Sequence, residues 1–182
     1  MKTAIIGVTG MVGREMLEVL SERKFPLTTL IPVASNKSYG RTVFFNNKEY
    51  RVVMIDELMQ KDIDLALFSA GGKVSKVWAP KLAEKGVKVV ENSSYWRMCS
   101  KHKLIVPEIN GGQLKKEDKI IANPNCSTIQ LLLPLKPLHD KYKIKRIIVS
   151  TYQAVSGAGK ASADELLSQT KDSLSNKKIV SK

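Results

Sequence analysis

Residues 123–128 read Asn-Pro-Asn-Cys-Ser-Thr and carry the side chain best suited to covalent chemistry, Cys126. An apolar run, residues 119–122, precedes them, and a second, residues 129–133, follows. That order predicts strand, tight turn, helix, with the thiol at or just before a helix N-terminus. Unpaired N–H groups and the helix dipole favour negative charge there, the setting a nucleophilic thiolate needs. A small structural cysteine beside a sharp turn would have the same spacing, so other residues must decide. Arg97 lies in Glu91-Asn-Ser-Ser-Tyr-Trp-Arg-Met98, where it could hold a phosphate or carboxylate in a forked contact or stack on Trp96. After a run of β-formers, Gln153-Ala-Val-Ser-Gly-Ala-Gly-Lys160 forms a glycine-rich loop.

A second chemistry is written near residue 7. Gly7-Val-Thr-Gly-Met-Val-Gly13 follows a short apolar strand and opens a helix. A G-x-x-G-x-x-G turn in that place is the dinucleotide-binding arrangement, with the pyrophosphate on the helix N-terminus. Where NAD-preferring sites carry an acidic residue for the ribose, this chain has Ser35-Asn-Lys-Ser38, and no Asp or Glu lies between Glu22 and Glu49. A lysine and serines suit a 2′-phosphate, so NADP is the expected cofactor. Ser69-Ala-Gly-Gly72 ends another strand with small residues, where open α/β sheets admit ligands.

The elements that must position these groups follow from the apolar pattern. Strands are expected at 2–6, 28–34, 63–68, 87–90 and 119–122, with one or two short edge strands within 41–55. Helices are expected after Gly13 (apolar face Met16, Leu17, Val19, Leu20), at 56–61, and at 73–85 (stripe Val74, Val77, Trp78, Leu82), the last closed by Gly86. Pro134 and Pro137 should kink or end the helix after Cys126. Residues 144–152 read as a long strand, a helix with Ala161, Leu166 and Leu167 on its apolar side follows, and 171–182 read as a polar, fraying tail. The alternation predicts an α/β, Rossmann-type, doubly wound and mostly parallel sheet, plus the beginning of an incomplete α+β catalytic and dimerisation domain. The expected division is 1–125 for the NADP-binding domain and 126–182 for the start of the second.

Composition narrows the function classes. An apolar content of 43% in 182 residues fits a globular protein. The sequence lacks a run of about 18 apolar residues and an N-terminal signal pattern, so no membrane partner and a cytoplasmic location are expected. Cys99 and Cys126 are the only cysteines and His102 and His139 the only histidines; no spacing suggests a metal site. The net charge of +13 comes from dispersed lysines. No nucleic-acid partner is expected from it, and a positive field favours anionic ligands.

Taken in order, Gly-Val-Thr-Gly-Met-Val-Gly, Ala-Ser-Asn-Lys-Ser, Ser-Ala-Gly-Gly, Asn-Ser-Ser-Tyr-Trp-Arg-Met, Val-Pro-Glu-Ile-Asn, Asn-Pro-Asn-Cys-Ser-Thr and Thr-Tyr-Gln-Ala-Val-Ser-Gly-Ala-Gly resemble aspartate-semialdehyde dehydrogenase from residue 1 to about residue 167. The resemblance implies NADPH-dependent reductive dephosphorylation of L-4-aspartyl phosphate to L-aspartate 4-semialdehyde, a step toward lysine, methionine, threonine and isoleucine. By likeness, Cys126 is the nucleophile that carries the acyl thioester, Gln153 orients the substrate, and Arg97 and Asn125 hold its phosphate. Thr9, Gly10, Met11 and Val12 would cradle the cofactor pyrophosphate, Lys37 and Ser38 the 2′-phosphate, and Ser69, Gly71, Ser156 and Gly157 would also meet the cofactor. The family is homodimeric and about twice this length, so the chain reads as truncated. The family's acid/base histidine and substrate-binding arginine have no counterpart here, and neither His102 nor His139 falls in the histidine motif. Cys99 stands where the family usually has Asp. Two other readings are an N-acetyl-glutamyl-phosphate reductase-like enzyme, against which Thr151–Gly159 speaks, and a non-catalytic NADP-binding fragment.

Overall fold

The computed structural model describes residues 1–179, which fall into two compact units, Met1–Ile147 and a second that begins at Ile148. The first unit runs β1 (Lys2–Ile6), α1 (Met11–Glu22), β2 (Thr29–Val33), β3 (Thr42–Phe45), β4 (Lys48–Arg51), β5 (Leu65–Phe68), α2 (Gly72–Glu84), β6 (Lys88–Glu91), β7 (Lys103–Leu104), α3 (Pro107–Asn110), β8 (Ile120–Ala122) and α4 (Cys126–Tyr142). Six strands form one parallel sheet in the order β2-β1-β5-β6-β8-β7, while β3 and β4 pair as a separate antiparallel hairpin. The hairpin is tied to β2 through Val53, whose N–H donates to the Pro32 carbonyl at 2.9 Å.

Both faces of the sheet are covered, which is why its strands read as continuous apolar runs. Along β1 the side chains alternate. Ala4 and Ile6 pack with Phe68, Val89, Ala79 and Leu82 on the α2 face, whereas Ile5 packs with Leu17, Leu30 and Phe45 on the α1 face. β1 is flanked by β2 on one side and β5 on the other, so the connections diverge at its carboxyl end. In open α/β sheets that divergence leaves a crevice for a ligand.

Several expectations need correction. In α1 the face toward the core is Gly13 and Leu17, with Met16 and Leu20 packed against it, while Val19 is exposed. In α2, Ser75, Ala79 and Leu82 are buried and Val77 is exposed. Helical spacing allowed each outlying valine on the apolar stripe, but the sheet reaches only the narrower face. Pro134 and Pro137 do not end α4, which runs to Tyr142. Each proline removes one hydrogen bond, to the carbonyls of Gln130 and Leu133. Both of those residues are exposed, so solvent can satisfy the freed groups. The helix stops where Lys143 turns left-handed, φ +56°, and donates its N–H to the His139 carbonyl.

The expected strand at 144–152 does not form. A strand exists by pairing, and among the described residues nothing pairs with this segment. Most of its apolar side chains stay uncovered: Ile148 is 84% exposed and Tyr152 fully so. In the second unit a short 3-10 turn, Val155–Ala158, leads through Gly159 to α5 (Lys160–Leu174), with no buried residue in either. The helix thus takes in residues 171–174, which the sequence assigned to a fraying tail; residues 180–182 of that tail lie outside the described residues. No described helix is long and apolar enough to cross a membrane.

Candidate active site

The first part of the site is built by two glycines, Gly7 and Gly13. Gly7 follows β1 with φ +91°, and a Cβ there would sit 2.3 Å from the Ser69 carbonyl oxygen. Gly13 lies in the first turn of α1, where a Cβ would come within 2.2 Å of the Gly7 carbonyl oxygen. The two absent side chains let the β1 turn, the end of β5 and α1 close on one another. The Val33 carbonyl at the end of β2 accepts from the N–H groups of Gly7 and Val8, at 2.8 and 3.1 Å. A cavity of about 280 Å3 opens at this edge, lined by Gly7, Thr9, Gly10, Ala34, Ser69 and Ala70 among others. No described side chain caps the N-terminus of α1. Its first N–H groups therefore remain for an anion, as a pyrophosphate site needs.

The structure brings the two cofactor loops together. Thr9 donates its hydroxyl to Ser38 Oγ at 3.3 Å. Ser38 is buried in the Asn36–Ser38 turn, while Lys37 beside it is exposed. Thr9, Gly10 and Ser69 line the cavity. Met11 and Val12 are exposed first-turn residues of α1, and Gly71, φ +82°, precedes α2. Among the described residues no acidic side chain lines the cavity, which also involves Ile55 and Val74. The sequence reading did not assign those two to the crevice, because Val74 reads as part of a helical apolar stripe and Ile55 as the end of an edge-strand segment.

The second part surrounds Cys126, the exposed first residue of α4. The helix begins here because Asn125 caps it. Its Oδ1 accepts from the N–H groups of Ser127 at 3.1 Å and Thr128 at 3.2 Å. The side-chain oxygen of Asn125 is thus committed to the cap, and only its NH2 group can meet a phosphate.

The turn before the cysteine is tied to the loop after β6. Asn123 donates its N–H to the Glu91 carbonyl at 2.8 Å and its Nδ2 to Asn92 Oδ1 at 2.7 Å. Half-buried Arg97 donates Nε to the Asn123 carbonyl at 3.0 Å and Nη2 to the Asn92 carbonyl at 2.9 Å. One edge of the guanidinium is therefore occupied by backbone. The end formed by Nη1 and the second Nη2 hydrogen remains for a forked contact with an anion. Arg97 does not stack on Trp96 here. The indole instead donates Nε1 to Ser75 Oγ at 2.8 Å and meets Tyr95 and His102 edge to face.

His139 lies in the last turn of α4, 13 positions beyond Cys126, which places it roughly 20 Å away along the axis. His102 sits against Trp96, where burial first and then the charge of Lys101 hold its pKa below the usual value. Gln153, Ser156 and Gly157 belong to the second unit. Gln153 Nε2 donates to Thr151 Oγ1 at 3.0 Å, and Ser156 and Gly157 lie in the 3-10 turn.

Comparison with known proteins fits this arrangement. Residues 2–117 match the family model described as semialdehyde dehydrogenase, NAD binding domain, and residues 135–181 match semialdehyde dehydrogenase, dimerisation domain. An aspartate-semialdehyde dehydrogenase from Aquifex aeolicus is 54% identical over 173 residues, covering 93% of this chain and 51% of the relative. Aspartate-semialdehyde dehydrogenase 2 from Vibrio cholerae is 52% identical over 169 residues, covering 92% of this chain and 50% of that protein. The crystal structure of aspartate semialdehyde dehydrogenase II from Vibrio cholerae superposes with a TM-score of 0.92 at 48% identity, over all of this chain and 55% of that one. The chain spans about half the length of the curated relatives it matches. With an NAD-binding domain model covering most of its length, and its glycine crevice and cysteine turn on one sheet edge, the chain belongs to the semialdehyde dehydrogenase family.

Proposed function

We propose that this chain provides the cofactor site and the nucleophile of an NADP-dependent aspartate-semialdehyde dehydrogenase. The reaction is reductive dephosphorylation of L-4-aspartyl phosphate to L-aspartate 4-semialdehyde, in the cytoplasmic synthesis of lysine, methionine, threonine and isoleucine. One observation carries the reading: Cys126 is the exposed first residue of a 17-residue helix, and Arg97 is hydrogen-bonded to the turn that precedes it. A nucleophile and an anion-holding cation meet at the edge of the sheet that bears the dinucleotide crevice.

In this reading Cys126 Sγ attacks the acyl carbon of the substrate. The C–O bond to phosphate breaks, phosphate departs with the electron pair, and a thioester remains on the sulfur. The open end of Arg97 and the NH2 group of Asn125 bind the phosphoryl oxygens, and Gln153 is the residue proposed to orient the amino-acid part. NADPH, when bound, supplies the hydride that reduces the thioester to the aldehyde. The residues present fit that cofactor. Thr9, Gly10, Met11 and Val12 receive the pyrophosphate, Ser69 and Gly71 border the crevice, and Ser156 and Gly157 are further proposed cofactor contacts. The charged contact to the 2′-phosphate falls to exposed Lys37, with buried Ser38 holding the loop through Thr9. The functional boundary lies between residues 125 and 126, where the cofactor domain ends and the nucleophile's helix begins. The partners are small molecules and, as in the family, a second subunit.

Incubation with aspartate semialdehyde, phosphate and NADP should raise the absorbance of NADPH, and Cys126→Ala should abolish the rise. A second reading, a cofactor-binding chain without turnover, is favoured by the exposure beyond Ala122, where Pro124 is the one described residue that is buried. Calorimetric binding of NADP with no NADPH formation would establish that reading and remove the first.

A further inference from the structure

Glu91 ends β6 and is fully buried, flanked in the sheet by Phe68 and Ala122. A buried carboxyl group on a central strand is costly unless its oxygens are hydrogen-bonded, and an apolar residue would serve the core better. Both oxygens are satisfied by a single residue. Ser93 donates its N–H to Oε1 and its hydroxyl to Oε2, each at 2.8 Å. The same hydroxyl oxygen accepts from the Tyr95 N–H at 3.3 Å. The loop from Asn92 to Arg97 is therefore folded onto a buried anchor. Its two ends then close on each other and on the cysteine turn, through Arg97 with the Asn92 and Asn123 carbonyls and through Asn123 with the Glu91 backbone.

We infer that Glu91 is a positioning residue: acting through Ser93, it fixes the 92–97 loop so that the open end of the Arg97 guanidinium meets a tetrahedral oxyanion beside Cys126. The inference rests on the reading of Arg97 as the group that holds the substrate phosphate. Glu91 touches neither substrate nor sulfur; it sets where the cation sits.

Inorganic phosphate is the probe. The full chain is treated with iodoacetamide, a neutral reagent, at increasing phosphate, and the alkylation rate is read by peptide mass spectrometry at Cys126 and separately at half-buried Cys99. Phosphate should slow alkylation of Cys126 in a saturable manner and leave Cys99 unchanged. Arg97→Ala should remove that protection. Glu91→Leu and Ser93→Ala should each raise the half-protecting phosphate concentration by about tenfold, the effect of losing one well-placed hydrogen bond. Their alkylation rates at Cys126 without phosphate should stay within about twofold of the parent, which separates displaced Arg97 from a generally loosened turn. Should Glu91→Leu fail to fold, Ser93→Ala decides alone, since it removes one hydroxyl and adds no volume. Protection at the parent's phosphate concentration in a folded Ser93→Ala or Glu91→Leu chain overturns the inference while Arg97→Ala still upholds the anion site. Protection absent in the parent, or persisting in Arg97→Ala, overturns the anion role of Arg97 and this inference with it.

Discussion

Adding one methyl group to each glycine of the first turn should produce a graded loss that geometry, not residue type, dictates. At Gly13 the new Cβ would stand 2.2 Å from the Gly7 carbonyl oxygen and 2.7 Å from Val8 Cα, against the ~3.5 Å of a comfortable contact. Both neighbours are backbone, so α1 must retreat by roughly 1 Å, and Leu17 and Met16 lose their fit against the sheet. Overpacking of this kind costs up to about 3 kcal/mol. Alanine is a better helix former than glycine by about 1 kcal/mol, which offsets part of it. Gly13→Ala should therefore destabilise the first unit by about 2 kcal/mol. At Gly7 the clash is with the Ser69 carbonyl, at 2.3 Å, and φ is +91°. A left-handed backbone adds about 1–2 kcal/mol for any residue with a Cβ, so Gly7→Ala should lose about 4 kcal/mol. Gly10, with φ −74° and its nearest contact at 3.1 Å, should lose under about 1 kcal/mol. Urea denaturation followed by circular dichroism gives the three values, and calorimetry gives NADP affinity for the folded variants. A Gly13→Ala chain with the parent's urea midpoint, or a Gly10→Ala chain less stable than Gly13→Ala, would refute the claim that these glycines exist to let backbone meet backbone.

Three further outcomes follow from the site. Asn125→Ala should destabilise the chain by about 1 kcal/mol through loss of the α4 cap, while Asn125→Asp retains most of it; equal urea midpoints for Ala and parent would remove the capping role. Lys37→Glu should weaken NADP binding by about tenfold or more and change NAD binding far less, because the new charge opposes only the 2′-phosphate; a parallel loss for both cofactors in calorimetry would contradict that assignment. His102 has its folded-state pKa held down, so the unfolded chain binds more protons and His102 opposes folding as pH falls. Its full contribution is present above about pH 6.5, the unfolded value, and is lost as pH drops below it; His102→Gln should flatten that decline in urea midpoint, and an unchanged slope would sink the idea.

The parallel sheet was legible because each strand buried on both faces leaves an unbroken apolar run, as Ala4-Ile5-Ile6 and Leu65-Ala66-Leu67-Phe68 do. The glycine turn was legible because small residues between a strand and a helix have few other uses. Residues 144–152 misled for the opposite reason: Ile147, Ile148 and Val149 have strand propensity, but a strand needs a neighbour, and propensity does not supply one. Val19 and Val77 lay within the allowed arc of a helical stripe, yet the width of the buried face depends on what the helix meets. At the site, the sequence offered Asn125 and Arg97 as polar residues near a cysteine. It could not show that the Asn125 oxygen is spent on the helix cap, or that backbone carbonyls occupy one edge of Arg97. Glu91 went unnoticed because an acidic residue ending a strand looks like solvent-facing punctuation until its burial is known.

The claim that Cys126 is the acyl-bearing nucleophile is tested most directly by intact-protein and peptide mass spectrometry after incubation with aspartate semialdehyde and NADP in the absence of phosphate. Without phosphate to release it, an aspartyl thioester should accumulate on Cys126, discharge when phosphate is added, and be missing in Cys126→Ala. An unmodified Cys126 under those conditions, or an adduct confined to Cys99, would contradict the assignment.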